Sequence, residues 1–446
     1  MVKDTVKLIR DKLTARGLLP LRAQAERSEA LLRDRLERLL PQLMDECGAD
    51  MWLVAAYENN EDPIMRSMLT YDMRTARRLS ALIFCRNKDG GIDRLSWGIP
   101  FANMKNFYTP VKQGDETLAE GVARIIRQYE PKDVRIDIDG QNGGFCDGLS
   151  HSLYCDLMTM PEDCRARLVP AGRLSTRWLE TMTEGELEVM ETLVEVTEDI
   201  IKASYSREVI KPGVTTTTDV EWFMRDVMEQ SSLDFWFGPD VDLQRKGVEG
   251  SFEGVIEEGD LIHCDIGVYL KYIPVLTDKQ WMGYILKQGE TAAPEGIKAL
   301  FKTCNRFQDI SCEGYLSGRT GNQVFWDAIN KARAENIDAS LYCHGLGTFG
   351  HGEGPIIGRY DHQDSIYPRG ELPVGPHTSY ALELNIKGSL PEWDGQTVRI
   401  ALEEDIHVAE GPKYVCCLLY TSCRVFSRRQ ACPFCQAQRL RGEERL

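Results

Sequence analysis

The chain has 446 residues, 42% apolar and 9% aromatic, enough for two or three domains with a buried core. Disordered and collagen-like chains are thereby excluded, and no run of 18 apolar residues is present to span a membrane. Fifty-three basic against 69 acidic residues give a net charge of −16, which repels phosphate backbones and argues against nucleic-acid binding.

The first twenty residues lack the apolar block of a secretory signal, so a cytoplasmic protein is expected. From Ser28 to Met44, Leu31, Leu32, Leu36, Leu39, Leu40 and Leu43 recur at helical spacing, with Pro41 interrupting the pattern near its end. Met51–Val54, Leu82–Phe84 and Val134–Ile138 are β-prone and alternate with helix-like stretches such as Thr117–Tyr129, which predicts an α/β first domain. Near Thr183 the character changes. Thr183-Glu184-Gly185-Glu186 offers a capping box, and Thr218–Glu221 can cap a second helix. The division falls between about 170 and 183, giving units 1–175 and 180–415. Beyond it, Phe252–Ile256, Leu261–Val268, Tyr380–Ile386 and Val398–Val408 read as strands, and Gly321–Asn336 as a helix.

Fourteen cysteines are present, nine of them spread singly from Cys47 to Cys343 without framework spacing, so reduced packing thiols are expected. The other five lie in 416–446 with six arginines and two glutamates. Cys432 and Cys435 have CxxC spacing but no second pair or nearby histidine, and an irregular or even non-native tail is preferred to a zinc knuckle.

Acids set inside apolar strands carry the chemistry. Asp265 interrupts Leu261–Gly267, where an unpaired carboxylate costs several kcal/mol or is forced neutral. Asp278 follows thirteen residues later on a second strand-like run; Lys271-Tyr272 is poor turn chemistry, so a connection looser than a hairpin is expected. Glu383 repeats the pattern in Tyr380–Ile386, and Glu403, Glu404 and Asp405 end Val398–Ile406. One buried acid is ordinarily a capping or ion-paired residue. Carboxylates in four separate apolar strands point instead to a shared cation. His344 and His351 stand seven apart among glycines, which let the backbone approach a site closely. The remaining histidines, His151, His263, His362, His377 and His407, show no such context and are read as structural.

The segments GDLIHCDIG, TDKQ, HGLGTFGHGEGP, YALELN and VRIALEED resemble the pita-bread (M24-type) metallopeptidase family, which includes methionine aminopeptidases, Xaa-Pro aminopeptidases, Xaa-Pro dipeptidases and creatinase. The likeness covers about 180–415. The preceding residues more weakly resemble the smaller α/β domain of the proline-directed members and creatinase. The resemblance implies an α/β (α+β) chain with a pita-bread catalytic domain. It also implies hydrolysis of an X–Pro bond at a peptide N-terminus by a hydroxide that two divalent ions activate. Asp265 would bind one ion, Asp278 and Glu403 would bridge both, and His344 and Glu383 would bind the second, with Glu404 an alternative to Glu403. Glu383 would also shuttle a proton. His351 would hydrogen-bond the scissile carbonyl or its tetrahedral successor, and Arg399 would contact substrate. Hard ligands suit Mn²⁺ or Co²⁺, with Zn²⁺ or Fe²⁺ as alternatives. The implied partners are a peptide with proline second and, by analogy, a second copy in a homodimer.

Departures accompany the likeness. Asp265 and Asp278 stand two residues farther apart than usual, and Arg399 precedes Glu403 by four where two is usual. Phe235-Trp236-Phe237-Gly238-Pro239-Asp240 occupies the place of a pocket histidine. Creatinase-like or lyase chemistry on the same scaffold, and a non-catalytic peptide-binding relative, stand as competing expectations.

Overall fold

The periodic leucines around Pro41 fold as one long helical rod: Leu21–Asp34, a π-turn over Arg35–Leu39, then Leu40–Glu46. Pro41 lacks an N–H and its ring crowds the carbonyl four residues back. The rod relieves this by widening, with the Leu40 N–H bonding to the Arg35 carbonyl five residues away. This computed structural model describes residues 2–73, 75–99, 103–351, 353–363, 368–409 and 423–425. The Cys432/Cys435 expectation lies outside the described residues.

The β-prone runs of the first part become β1 (Met51–Tyr57), β2 (Leu79–Arg86), β3 (Ile92–Trp97), β4 (Thr109–Pro110), β5 (Val134–Ile136) and β6 (Leu168–Pro170). They form one mixed sheet in the order β4-β3-β2-β1-β5-β6. Alternation along β1 sends Trp52, Val54 and Ala56 to a core with the helical rod and Leu174 and Trp178. Met51, Leu53 and Ala55 face the opposite core, under helices Leu118–Tyr129 and His151–Leu157. A central strand buried on both faces must be apolar throughout, which is why β1 shows no polar alternation. Thr117 and Glu120 close a capping box on the first of those helices.

The helices Glu184–Ser204 and Thr217–Gln230 also open on capping boxes. The first uses Thr183 and Glu186 as read from the sequence. The second uses Thr216 with Asp219, two residues before the expected start. Together with the first helix, Val2–Ala15, they cover β7 (Leu233–Gln244), β8 (Leu261–Leu270), β9 (Ile273–Leu276) and β10 (Lys279–Tyr284), in the order β10-β8-β7 with β9 also on β8. Two local expectations are corrected here. Phe252–Ile256 is no strand: it makes only isolated bridges, Leu243 to Phe252 and Thr216 to Val255. Lys271-Tyr272 does close a two-residue hairpin turn, with Leu270 opposite Ile273. Neither residue takes positive φ, so the turn is not held by its own dihedral preference. Distant groups hold it instead: Gln24 Oε1 accepts from Tyr272 N at 2.9 Å, and Lys271 pairs with Glu229 at 3.0 Å.

The last sheet holds β11 (Asp338–Leu341), β12 (Cys343–Gly345), β13 (Glu353–Ile357), β14 (Thr378–Leu390), β15 (Gln396–Val408) and β16 (Cys423–Val425), ordered β13-β12-β14-β15-β16, with β11 on β14. Helices Glu295–Cys312 and Gly321–Ala334 bury its apolar face. These last two sheets meet along a seam where β10 packs against β15. Side chains fasten the two sheets: at the seam Asp405 Oδ1 accepts from Asp278 N at 2.9 Å, and Gln244 at the end of β7 accepts from Arg399 N at 2.9 Å and donates to Arg399 O at 2.8 Å.

Two acids far from this seam are buried as a pair. Asp62 caps the Pro63–Ser67 helix through Ile64 N at 2.8 Å and faces Asp137, which accepts from Ser175. Burial raises Asp62 from 3.8 to about 7 and pushes Asp137 up as well. The folded pair therefore keeps protons that the unfolded chain releases near pH 4. Stability is full below that pH and falls as pH rises toward 7. Asp62→Asn, which still caps the helix, is expected to gain on the wild type progressively across pH 4–7. The gain is on the order of a few kcal/mol at about 1.4 kcal/mol per unit. Denaturation midpoints at pH 4, 5.5 and 7 check it; parallel curves refute it.

Candidate metal centre

The strand-embedded acids converge at the seam. Register sets Glu383 of β14 directly opposite Glu403 of β15, while Asp265 projects from β8 and Asp278 immediately precedes β10. His344 comes from β12, paired with Ala381 of β14. Ligand atoms of Asp265, Asp278 and Glu403 lie within 4.8 Å of one another, as do those of His344, Glu383 and Glu403, and those of Asp278, His344 and His351. These residues line one cavity of about 640 Å³, together with Trp236, Phe237, Tyr342, Ile356 and Tyr360.

Their electrostatics suit a cation. Asp265 Oδ1, Asp278 Oδ1, His344 Nε2 and both Glu403 oxygens are buried without a hydrogen-bond partner among the described residues. Burial pushes Asp265 up to about 6 and Glu383 up to about 8, and pushes Asp278 and Glu403 well up; neighbouring carboxylates add to the shift on all four. His344 moves the other way. Burial, then His351, lowers it to about 3, so it is a neutral imidazole near pH 7. Its Nδ1 lies 3.2 Å from the Gly345 carbonyl, which places the proton there and leaves Nε2 as a lone pair. That lone pair points at Asp278 Oδ2, 3.5 Å away, and Glu383 Oε2, 4.0 Å away. Lone pairs facing lone pairs at this range repel one another, and either a proton on a carboxyl or a cation between them relieves the repulsion. The oxygen-rich set with one imidazole fits hard divalent ions.

The two adjacent glutamates separate cleanly. Glu404 pairs with the fully buried Lys279, whereas Glu403 turns both oxygens to the cavity. Glu404→Gln is therefore expected to keep metal but weaken the partner of a buried ammonium, costing about 3–5 kcal/mol of stability. Glu403→Gln should do the reverse, and parallel metal analysis and thermal melts separate the two.

His351 stands edge to face with His344, ring centroids 4.2 Å apart, and against Trp236 at 5.0 Å. Trp236 is clamped: its indole donates to the Thr277 carbonyl at 3.0 Å, and a Cβ at Gly267 or Gly350 would run into the ring. Arg399 is not among the cavity-lining residues. Its guanidinium lies 4.0 Å from Asp242 Oδ2, close enough that its charge eases the ionisation of Asp265 and Glu383. Sequence reasoning set His263 aside as structural, and the structure puts it in a hydrogen-bonded row that reaches Glu383 through Gln280. Its period-two spacing from Asp265, which puts both on one strand face, was the available signal.

The model of Metallopeptidase family M24 matches residues 188–410, half of the chain. The chain belongs to metallopeptidase family M24. No curated protein matches it by sequence. Solved structures share the fold. An X-Pro aminopeptidase from Thermotoga maritima is 16% identical with a TM-score of 0.61, covering 89% of this chain and 99% of that one. A Bacillus anthracis Xaa-Pro dipeptidase is 17% identical at 0.57, covering 90% and 99%. A prolidase from Pyrococcus furiosus is 15% identical at 0.56, covering 88% and 100%. This M24 chain thus has the pita-bread architecture, preceded by an α/β region that these structures span as well. Among its described residues no helix is long and apolar enough to cross a membrane.

Proposed function

We propose that this chain cleaves X–Pro bonds at the N-terminus of peptides, with divalent ions held by Asp265, Asp278, His344, Glu383 and Glu403. The observation that carries the reading is the gathering of four acids and a neutral imidazole in one cavity, with their buried lone pairs unpartnered. Units 1–175 and 180–415 remain our proposed division, and the X-Pro relatives supply the substrate class. Bound cations supply Lewis acidity and a water nucleophile available near neutral pH.

The chain's own residues then have separable tasks. Asp265, Asp278 and Glu403 hold negative charge fixed at the seam. Glu383 takes up and returns the proton of the attacking water, its Oε2 facing the cavity while Oε1 is held by Gln280. His351, at the open side of the cavity and with its pKa lowered by desolvation, donates an N–H to the carbonyl oxygen as charge develops there. Trp236, Phe237 and Ile356 give the cavity an apolar wall against which a pyrrolidine ring is drier than in water.

Purified protein with Mn²⁺ should release the first residue from Gly-Pro and Gly-Pro-X peptides and leave Gly-Ala peptides intact. Equal cleavage of both series, or metal binding without release, overturns the reading. The ratio of dipeptide to longer-peptide turnover assigns dipeptidase or aminopeptidase.

A further inference from the structure

Three polar side chains that the chemistry above does not use, the half-buried Asp242 and the buried His263 and Gln280, form a row leading into the site. Register sets Asp242 of β7 opposite His263 of β8, and Gln280 of β10 opposite Asp265. Asp242 Oδ2 lies 2.8 Å from His263 Nδ1, and His263 Nε2 lies 3.0 Å from Gln280 Oε1. Gln280 Nε2 then donates across the seam to Glu383 Oε1. His263 and Gln280 are only 5% and 3% exposed, so water does not substitute for these bonds.

The orientation of the amide follows from its neighbours. As a cation's ligand Glu383 only accepts, so Gln280 turns its NH₂ to Glu383 and its carbonyl to His263, which donates from Nε2 to that carbonyl and from Nδ1 to Asp242. This makes the two oxygens of Glu383 unequal: Oε1 is occupied by the amide, and Oε2 faces His344 Nε2 at 4.0 Å. We propose that Gln280, braced by His263 and Asp242, is the positioning residue for Glu383, holding a single oxygen toward the candidate metal centre. This rests on the reading of Glu383 as a ligand.

Co²⁺ titration of the full-length protein tests it, read by visible absorption and by calorimetric affinity. Gln280→Leu is expected to weaken Co²⁺ binding about 10–100-fold and to alter the visible band as the second Glu383 oxygen is released. His263→Gln, which keeps a donor for the Gln280 carbonyl, should retain the wild-type band, and His263→Leu should shift it. An unchanged band and affinity in Gln280→Leu, with Glu383→Ala deficient in cobalt, overturns the positioning role while sparing the reading of the site. If Glu383→Ala binds cobalt as the wild type does, the ligand reading itself fails and takes the proposal with it. Should Gln280→Leu not fold, the two His263 variants decide on the same band, and identical spectra overturn the proposal.

Discussion

Asp278→Asn is expected to lose activity by at least about 10³-fold and to lose metal, yet to be more thermostable than the wild type when both are metal-free. The two effects have one cause. Asp278 belongs to two of the three close groups of ligand atoms and is 3% exposed, with Oδ1 unpartnered. Burial, then Asp265, Glu383 and Asp405, raise its pKa, so without a cation it is a desolvated acid among acids. An amide of the same shape removes that repulsion and with it the attraction for a cation. Wild-type protein should gain stability as Mn²⁺ is added, by mass action on the folded state, while the variant gains little. Melting curves with and without Mn²⁺, alongside metal analysis, check both signs; equal gains in the two proteins refute the assignment.

His351→Ala is expected to keep its metal while kcat falls about 10²–10³-fold, the usual loss of one donor to a developing oxyanion. The geometry makes this a sharp test, because His351 also stands within 4.8 Å of Asp278 and His344 and so has ligand reach. Loss of an ion from the variant would move His351 into the metal set. Retention of the ion with KM little changed would place its contribution in the transition state.

The acids were legible because strand burial makes a carboxylate conspicuous: Asp265, Asp278, Glu383 and Glu403 each interrupt or adjoin an apolar run. Between Glu403 and Glu404 the resemblance favours the first by spacing alone, and the physical difference between them lies outside the local sequence. It is decided by Lys279, a partner 125 residues away in the chain whose approach depends on how β10 meets β15. The Lys271-Tyr272 turn was misread for the same reason. Its local chemistry is poor, and Gln24 and Glu229, both remote in sequence, hold it closed. His263 escaped notice since a lone histidine in an apolar strand ordinarily packs, and only cross-strand register reveals its partners. Local pattern thus fixes which side chains face inward, and tertiary pairing decides what each one does there.

The seam between β10 and β15 has a further consequence. The acids stand on both sides of it, and Asp405 and Lys279 stitch it with side chains, while Gln244 ties β7 of the same sheet to β15. Those stitches act as a calliper whose jaws carry the negative charge. A substitution such as Gln244→Leu removes no charge from the cavity, yet by loosening the tie of β7 to β15 it is expected to alter the relative affinities for small and large divalent ions, read by titration with each.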